Sequence, residues 1–268
     1  MKNRLARIGL LIISLLIFTA IFAPFLAPYD PTDQKMEEGL NPPSPEHPFG
    51  QDRLGRDILS RIIYGSRISL GVGMATVGVS LTLGLFIGSI AGYYGGLVDQ
   101  LFMRIIDILQ AFPGILLAIS IIAILGPSLS HVTLALCLMG WVSYARIVRG
   151  QVLFLREYEY VAAAKALGAS ASRIILHHIL PNLLAPVMVQ ATFGMAGAIL
   201  AEAGLSFLGL GAQPPTPSWG SMLNEGRQFL LVAPHLTTFP GLAIMIVVLG
   251  FNFLGDGLRD MLDVKSAD

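Results

Sequence analysis

Six stretches of this chain are long and apolar enough to cross a bilayer as helices: about 8–27, 69–92, 105–125, 131–148, 183–203 and 238–257. A spanning helix needs roughly 20 apolar residues. Helix is the form open to such runs, because each backbone amide in hydrocarbon must find its partner within the same segment. The fourth run is short and carries Arg146 near one end. Only 13% of the 268 residues are charged and mean hydropathy is +0.71, whereas a soluble domain carries about a quarter charged residues. The expected class is an all-α polytopic membrane protein with six transmembrane helices.

Other chemistries are excluded by what the chain lacks. Its net charge is zero, so no basic field exists to hold nucleic acid. Cys137, the single cysteine, lies in an apolar run. It can form no internal disulfide or Cys-rich metal site, and reads as a small core residue. The histidines at 47, 131, 177, 178 and 235 are scattered. His177 and His178 are adjacent, hence about 100° apart on a helix, and share no metal easily. None of the lysines at 2, 35, 165 and 265 follows a GxxxxGK[ST] loop, so no P-loop binds ATP in this chain. No metal and no cofactor is expected on it.

The N-terminal MKNRLAR and the oil after it have the layout of a secretory signal. The apolar run, about 19 residues, exceeds the ~7–15 of a signal core, and Pro24 directly follows the one small-x-small site, Ala20–Ala23. It reads as a retained span. An even number of spans puts both termini on one side. With the N-terminus inside, the inner segments hold eleven Lys and Arg and the outer segments six, which favours cytoplasmic termini. Four of the outer arginines crowd into QDRLGRDILSRIIYGSRISL, where Leu54, Ile58 and Ile62 recur at helical spacing. A short amphipathic helix lying on the outer interface is expected there. The Pro-rich APYDPTDQKMEEGLNPPSPEHPFG before it reads as an extended outer loop. A second outer stretch, 204–236, is expected to dip back toward the bundle. The glycine-rich span 69–92 should lie mid-bundle, since small residues let helix backbones approach. The expected organisation is an anchor, outer loop and interfacial helix over 1–67, a core over 68–260, and a cytoplasmic tail over 261–268.

The segment at 149–182 breaks the pattern. It is charged, with alanines at 162, 163, 164 and 166 and Gly168 suited to a left-handed helix stop. Ser170 or Ser172 can cap the next helix, which Pro181 is expected to end. The result is a cytoplasmic helix-turn-helix. It is either a loop folded onto its own bundle or a flat docking element for another protein.

VAAAKALGASASRIILHHILPN, with Ala162-Ala163-Ala164, Gly168 and Leu180-Pro181 at the matching positions, resembles the "EAA" loop of permease subunits in binding-protein-dependent ABC importers. Ala162 stands where that family usually has an acidic residue, and His178 where isoleucine is common; the hairpin shape does not depend on the first. FGQDRLGRDILSRIIYGSRISL, the run Asp107–Ile119, AEAGLSFLGLGAQPPTPSWGSML and NFLGDGLRDMLD are similar to the peptide and nickel branch, specifically its second, "C-type" subunit. The resemblance covers nearly the whole chain. It implies a MetI-like type I importer bundle of six helices in the bacterial inner membrane, paired with a homologous sister permease. It implies two cytoplasmic ATP-binding subunits, with ATP and Mg held there, gripping the hairpins. An external substrate-binding protein would deliver di- or oligopeptides, or alternatively nickel or a chelate.

Ionisable groups inside a membrane are functional by default. Glu202, closing the fifth span, is either an interfacial carboxylate reaching water or, with Trp219, part of an outer gate where FLGLG and PPTPSWG fold back. Arg104 and Asp107, three apart, are expected to pair along one helix. The remaining spans are nearly free of charge, and no paired unwound halves are expected. That disfavours an independent secondary transporter.

Overall fold

The computed structural model describes residues 4–265; Lys2 and the last three residues of the tail lie outside the described residues. Eleven α-helices are present among these: α1 (Arg4–Ile21), α2 (Ala23–Leu26), α3 (Ile58–Tyr94), α4 (Gly96–Gln110), α5 (Gly114–Leu125), α6 (Leu129–Leu155), α7 (Glu159–Ala166), α8 (Ala171–Ile174), α9 (Leu180–Phe207), α10 (Trp219–Gly226) and α11 (His235–Lys265). The described residues contain no β-strand, only one isolated bridge between Gln51 and Asp57.

Glycine sets the centre of the bundle. A Cβ built on Gly88 would lie 2.5 Å from the Ala145 carbonyl oxygen and 2.8 Å from Val148 Cβ, and one on Gly92 would lie 2.8 Å from Val152 Cβ. Gly84 meets Tyr144 in the same way, and Gly140 meets Ser80. Each of these contacts joins residues a nearly constant distance apart in the chain, 57 to 60 positions, so α3 and α6 run parallel in close backbone contact. Where oil against oil gains nothing, such close approach supplies the packing energy.

Two parallel helices need a return crossing between them, and α4 with α5 makes it. The pair is bent by 81°. Pro113 has no N–H to continue the ladder, and its ring disfavours helix in the residue before it. The expected single straight span at 105–125 is therefore a broken one. The turn signal Pro113-Gly114 stands inside the apolar run and overrides its periodicity. Five helices span alone by length and composition, and the bent pair brings the number to six.

The remaining helices wrap this pair. α9 runs back along α3, with Met195 against Gly73 and Ala191 against Val77. α11 packs antiparallel on α1, where Gly9 meets Gly250 and Ala6 meets Gly257. Both ends of the described chain thus lie at the same end of the bundle as α7 and α8, the hairpin end.

Three expectations change at the opposite end. The interfacial amphipathic helix does not exist as a separate element: Asp57 caps α3 by accepting from Ser60 N at 2.7 Å, and the helix then runs for 37 residues. Arg56 and Arg61, each 1% exposed, do not lie on an interface but in a buried ion cluster with Asp52 and Glu225. The Pro-rich segment is not merely extended. It folds as a cap tied to 50–57 by Leu40 N to Asp52 O (2.9 Å) and Gln51 N to Asn41 O (3.0 Å), and to the first turn of α3 by Tyr29 N to Ser60 Oγ (3.1 Å). In that cap the Gln51 amide, donating at 2.7 Å, lowers the Glu38 carboxyl below its ordinary range.

Candidate functional site

The hairpin is built by local rules. Gly168 has φ +79°, a conformation L side chains rarely adopt. Its N–H donates to the Lys165 carbonyl at 2.9 Å, and Ala169 N donates to Ala164 O at 3.0 Å, the paired bonds of a Schellman stop. Ser170 Oγ then accepts from Arg173 N at 3.4 Å and starts α8. The second helix does not end at Pro181 as expected. A π turn over Ile175–Ile179 leads into α9, whose first turn contains Pro181, and the helix runs on to Phe207.

The hairpin has two different faces. Ala164 and Val161 pack with Val148, Val152, Ile174, Ile179 and Leu183. Lys165 Nζ sits 5.3 Å from the Tyr93 ring centroid, and Arg156 Nη1 donates to Gly92 O at 3.0 Å. Partial burial, with Tyr158 nearby, pushes the Tyr160 phenol up. Ala162 and Ala163 point away from this core and are exposed, as are Gly168 and Pro181, while Leu180 is half-buried. At the tip Leu167 is 88% exposed. The sequence reading passed over Leu167, although an apolar residue just before a glycine helix stop is visible there. So of the aligned residues, Ala164 serves the fold, whereas Ala162, Ala163 and Gly168 form an uncovered knob with Leu167.

At the other end Glu202 does not reach water; it is fully buried. Its Oε1 accepts from Ser206 Oγ at 2.7 Å, and that hydroxyl in turn accepts from Ala212 N at 3.3 Å. The carboxylate thereby anchors the turn after α9. Trp219, 2% exposed, donates from Nε1 to Ile62 O at 3.0 Å and lies on Gly65 of α3. It shares an apolar cluster with Ile199 and Ala203, on either side of Glu202 in α9. The stretch 204–236 dips back into the bundle, with α10 carrying Trp219. Asp107 does not pair along its own helix: its partner is Arg146 of α6, at 2.7 Å.

A cavity of about 650 Å³ opens between α3, the α4–α5 break, α6 and α9. Thr76, Ser80, Gln110, Ser143, Tyr144 and Gln190 supply its polar groups, and no charged residue lines it. No sequence signal pointed to it, because its wall exists only where the break faces the parallel pair.

Residues 84–267 match the family described as "Binding-protein-dependent transport system inner membrane component", and residues 1–43 match the "N-terminal TM domain of oligopeptide transport permease C". The chain is 54% identical to the dipeptide transport system permease protein DppC of Alkalihalophilus pseudofirmus, over 98% of this chain and 87% of that protein. It is 47% identical to the corresponding DppC of Haemophilus influenzae, over 98% and 92%, and 47% identical to the glutathione transport system permease protein GsiD of Escherichia coli, over 98% and 88%. Its fold is similar to a solved structure of inward-facing conformations of the MetNI methionine ABC transporter, with TM-score 0.60 and 19% identity over 76% of this chain and 97% of that one. The parallel α3–α6 pair, the broken return crossing and the hairpin thus belong to a MetI-like importer bundle, and this chain is a member of the inner-membrane permease family of binding-protein-dependent ABC transporters.

Proposed function

We propose that this permease imports di- or oligopeptides, forming the path together with a homologous sister permease. The high identity to two dipeptide permeases and one glutathione permease over nearly the full length carries this reading. The alternative cargo is nickel or a metal chelate in place of peptide. Two cytoplasmic ATP-binding subunits, which hold the ATP and Mg, grip the hairpins, and an external binding protein loads the path. The chain itself carries no cofactor.

The knob of Ala162, Ala163, Leu167 and Gly168, with Leu180 and Pro181 at its base, is the docking element for one ATPase. It faces the cytoplasm together with both termini. Its inner face packs on α3 and α6, so a push on the tip reaches the helices that wall the cavity. Glu202 and Trp219 hold the outer turn and α10 as one end of the gate.

Reconstitution tests the reading. Proteoliposomes holding this chain, its sister and the ATPases should take up labelled dipeptide when binding protein and ATP are supplied, and this chain alone should take up none. Uptake by the chain alone would instead mark an independent carrier. Orientation is checked separately: a thiol at position 163, in a Cys137→Ala background, should react with an impermeant reagent only from the cytoplasmic side.

A further inference from the structure

Helix α4 is a bar with a joint at each end. It begins where α3 stops, at Gly95 and Gly96, whose φ of +64° and +56° suit glycine and few other residues. A Cβ on Gly96 would meet nothing within 4 Å, so nothing packs there to stiffen the joint. At the other end Pro113 breaks the ladder and α5 leaves at 81°. Hinges are built from a few residues at the ends of rigid elements, and between these two lie 15 residues of continuous helix.

Charge fastens the bar to α6. Arg149 donates to both oxygens of Asp99, from Nη2 to Oδ2 at 2.5 Å and from Nε to Oδ1. Such two-pronged pairs are the strong ones, and these side chains are only 29% and 15% exposed. Asp107 accepts from Arg146 at 2.7 Å, but that pair is about half exposed and contributes less. The apolar part of the contact centres on Ile106, with Val142 and Ala145.

The bar crosses the hairpin side of the cavity. On α6 the cavity wall runs as far as Tyr144, and Arg146 and Arg149 come next toward the hairpin. Leu109 and Gln110, in the last turn of α4, belong to the wall themselves. The hairpin reaches both the fastening and one joint. Val148 and Val152, on either side of Arg149, share a core with Val161 and Ala164 of α7. Arg156, between α6 and α7, donates to Gly92 O at 3.0 Å and lies 3.5 Å from a Cβ placed on Gly95.

Resting on the reading above that the hairpin faces the cytoplasm and is moved by the ATPases, we propose that α4 is the inner gate of the path. It swings on Gly95-Gly96 and on the Pro113 break, and is latched to α6 by Asp99–Arg149, with Asp107–Arg146 in support. Asp99 and Arg149 are positioning residues: they set where α4 rests and touch no cargo.

The test measures cytoplasmic access to the cavity with the latch intact, removed and exchanged. The complete transporter, in a Cys137→Ala background, is placed in inside-out vesicles. Gly197→Cys puts the reporting thiol in the cavity wall, one turn outward of Gly194, at a position where a Cβ meets nothing within 4 Å. Its rate of reaction with a charged impermeant reagent, without ATP, should rise at least about tenfold on Asp99→Asn, the loss of hydrogen bonds between charged groups expressed as a rate. The Asp99→Arg/Arg149→Asp exchange should bring the rate back toward the parental value. An unchanged rate in Asp99→Asn overturns the proposal. A rate that stays high in the exchange overturns it too, because damage to the fold would then be the cause. Should Asp99→Asn not assemble, Arg149→Lys decides, since it keeps the charge and loses the two-pronged fit: a faster reaction supports the gate, and the parental rate overturns it. No cargo enters this measurement, and reaction of the thiol at position 163 from the outer side alone would refute the orientation instead, a result distinct from these.

Discussion

Arg56 Nη2 lies 2.5 Å from Glu225 Oε2, joining residues 169 positions apart at the cap end of the bundle. The same guanidinium donates from Nε to Asp52 Oδ2 at 2.6 Å, and Arg61 approaches both carboxylates at 3.6 and 3.7 Å. Two arginines and two carboxylates therefore bind the cap, the start of α3 and α10 into one unit. Trp219, at the start of α10, lies against Gly65 of α3.

Glu225→Ala should destabilise the chain, because it leaves two buried guanidinium groups with one carboxylate between them. Breaking a buried pair costs roughly 3–5 kcal/mol, and the lower end applies because Glu225 is one-fifth exposed. A lowered thermal midpoint of the purified protein in detergent is expected. An unchanged midpoint would mean that the cluster does not hold α10.

Gly88→Ala and Gly78→Ala should differ sharply. At Gly88 the new methyl meets the Ala145 carbonyl at 2.5 Å, whereas at Gly78 nothing lies within 4 Å. Overpacking of this kind costs about 1–3 kcal/mol. The first variant should melt lower than the parent and the second should not; equal midpoints would show that α3 and α6 are not in backbone contact.

Gly168→Pro should uncouple transport while leaving insertion intact. Proline fixes φ near −65°, opposite in sign to the +79° of the turn, yet no atom outside the turn lies within 4 Å of a Cβ there. The damage is confined to the knob. Membrane fractions should hold normal amounts of the chain, and pull-down of the ATPase and peptide uptake should both fall; normal uptake counts against the knob as docking element. Leu167→Asp, which puts a charge at the exposed tip, should act in the same direction.

Ser206→Ala removes one hydroxyl that serves two partners, Glu202 and the Ala212 amide. Leaving buried polar groups unpaired costs about 1–3 kcal/mol. Hydrogen exchange of the peptide containing Ala212 should quicken by roughly tenfold to a hundredfold, the same energy expressed as a rate. Unaltered exchange there would show that the outer turn is held by something else.

The sequence alone determined the class, the crossings outside 105–125, and the hairpin, because each rests on a local rule. Twenty apolar residues must be helical in a bilayer, and an exposed glycine after a run of alanines stops a helix whatever surrounds it. The resemblance at Ala162–Ala164, Gly168 and Leu180–Pro181 located the hairpin within its family. What the sequence could not decide was which charges meet and where a wall faces a wall. Arg56 and Arg61 looked interfacial until Glu225 arrived from the far end of the chain, and Glu202 looked wet until α10 folded over it. Asp107 had a neighbour three residues away and found Arg146 on another helix instead. The cavity needed both the break at Pro113 and the parallel pairing of α3 with α6. Local propensity fixes where helices form and stop; the partners of buried polar groups depend on which helices pack together, and that is decided by the whole chain at once.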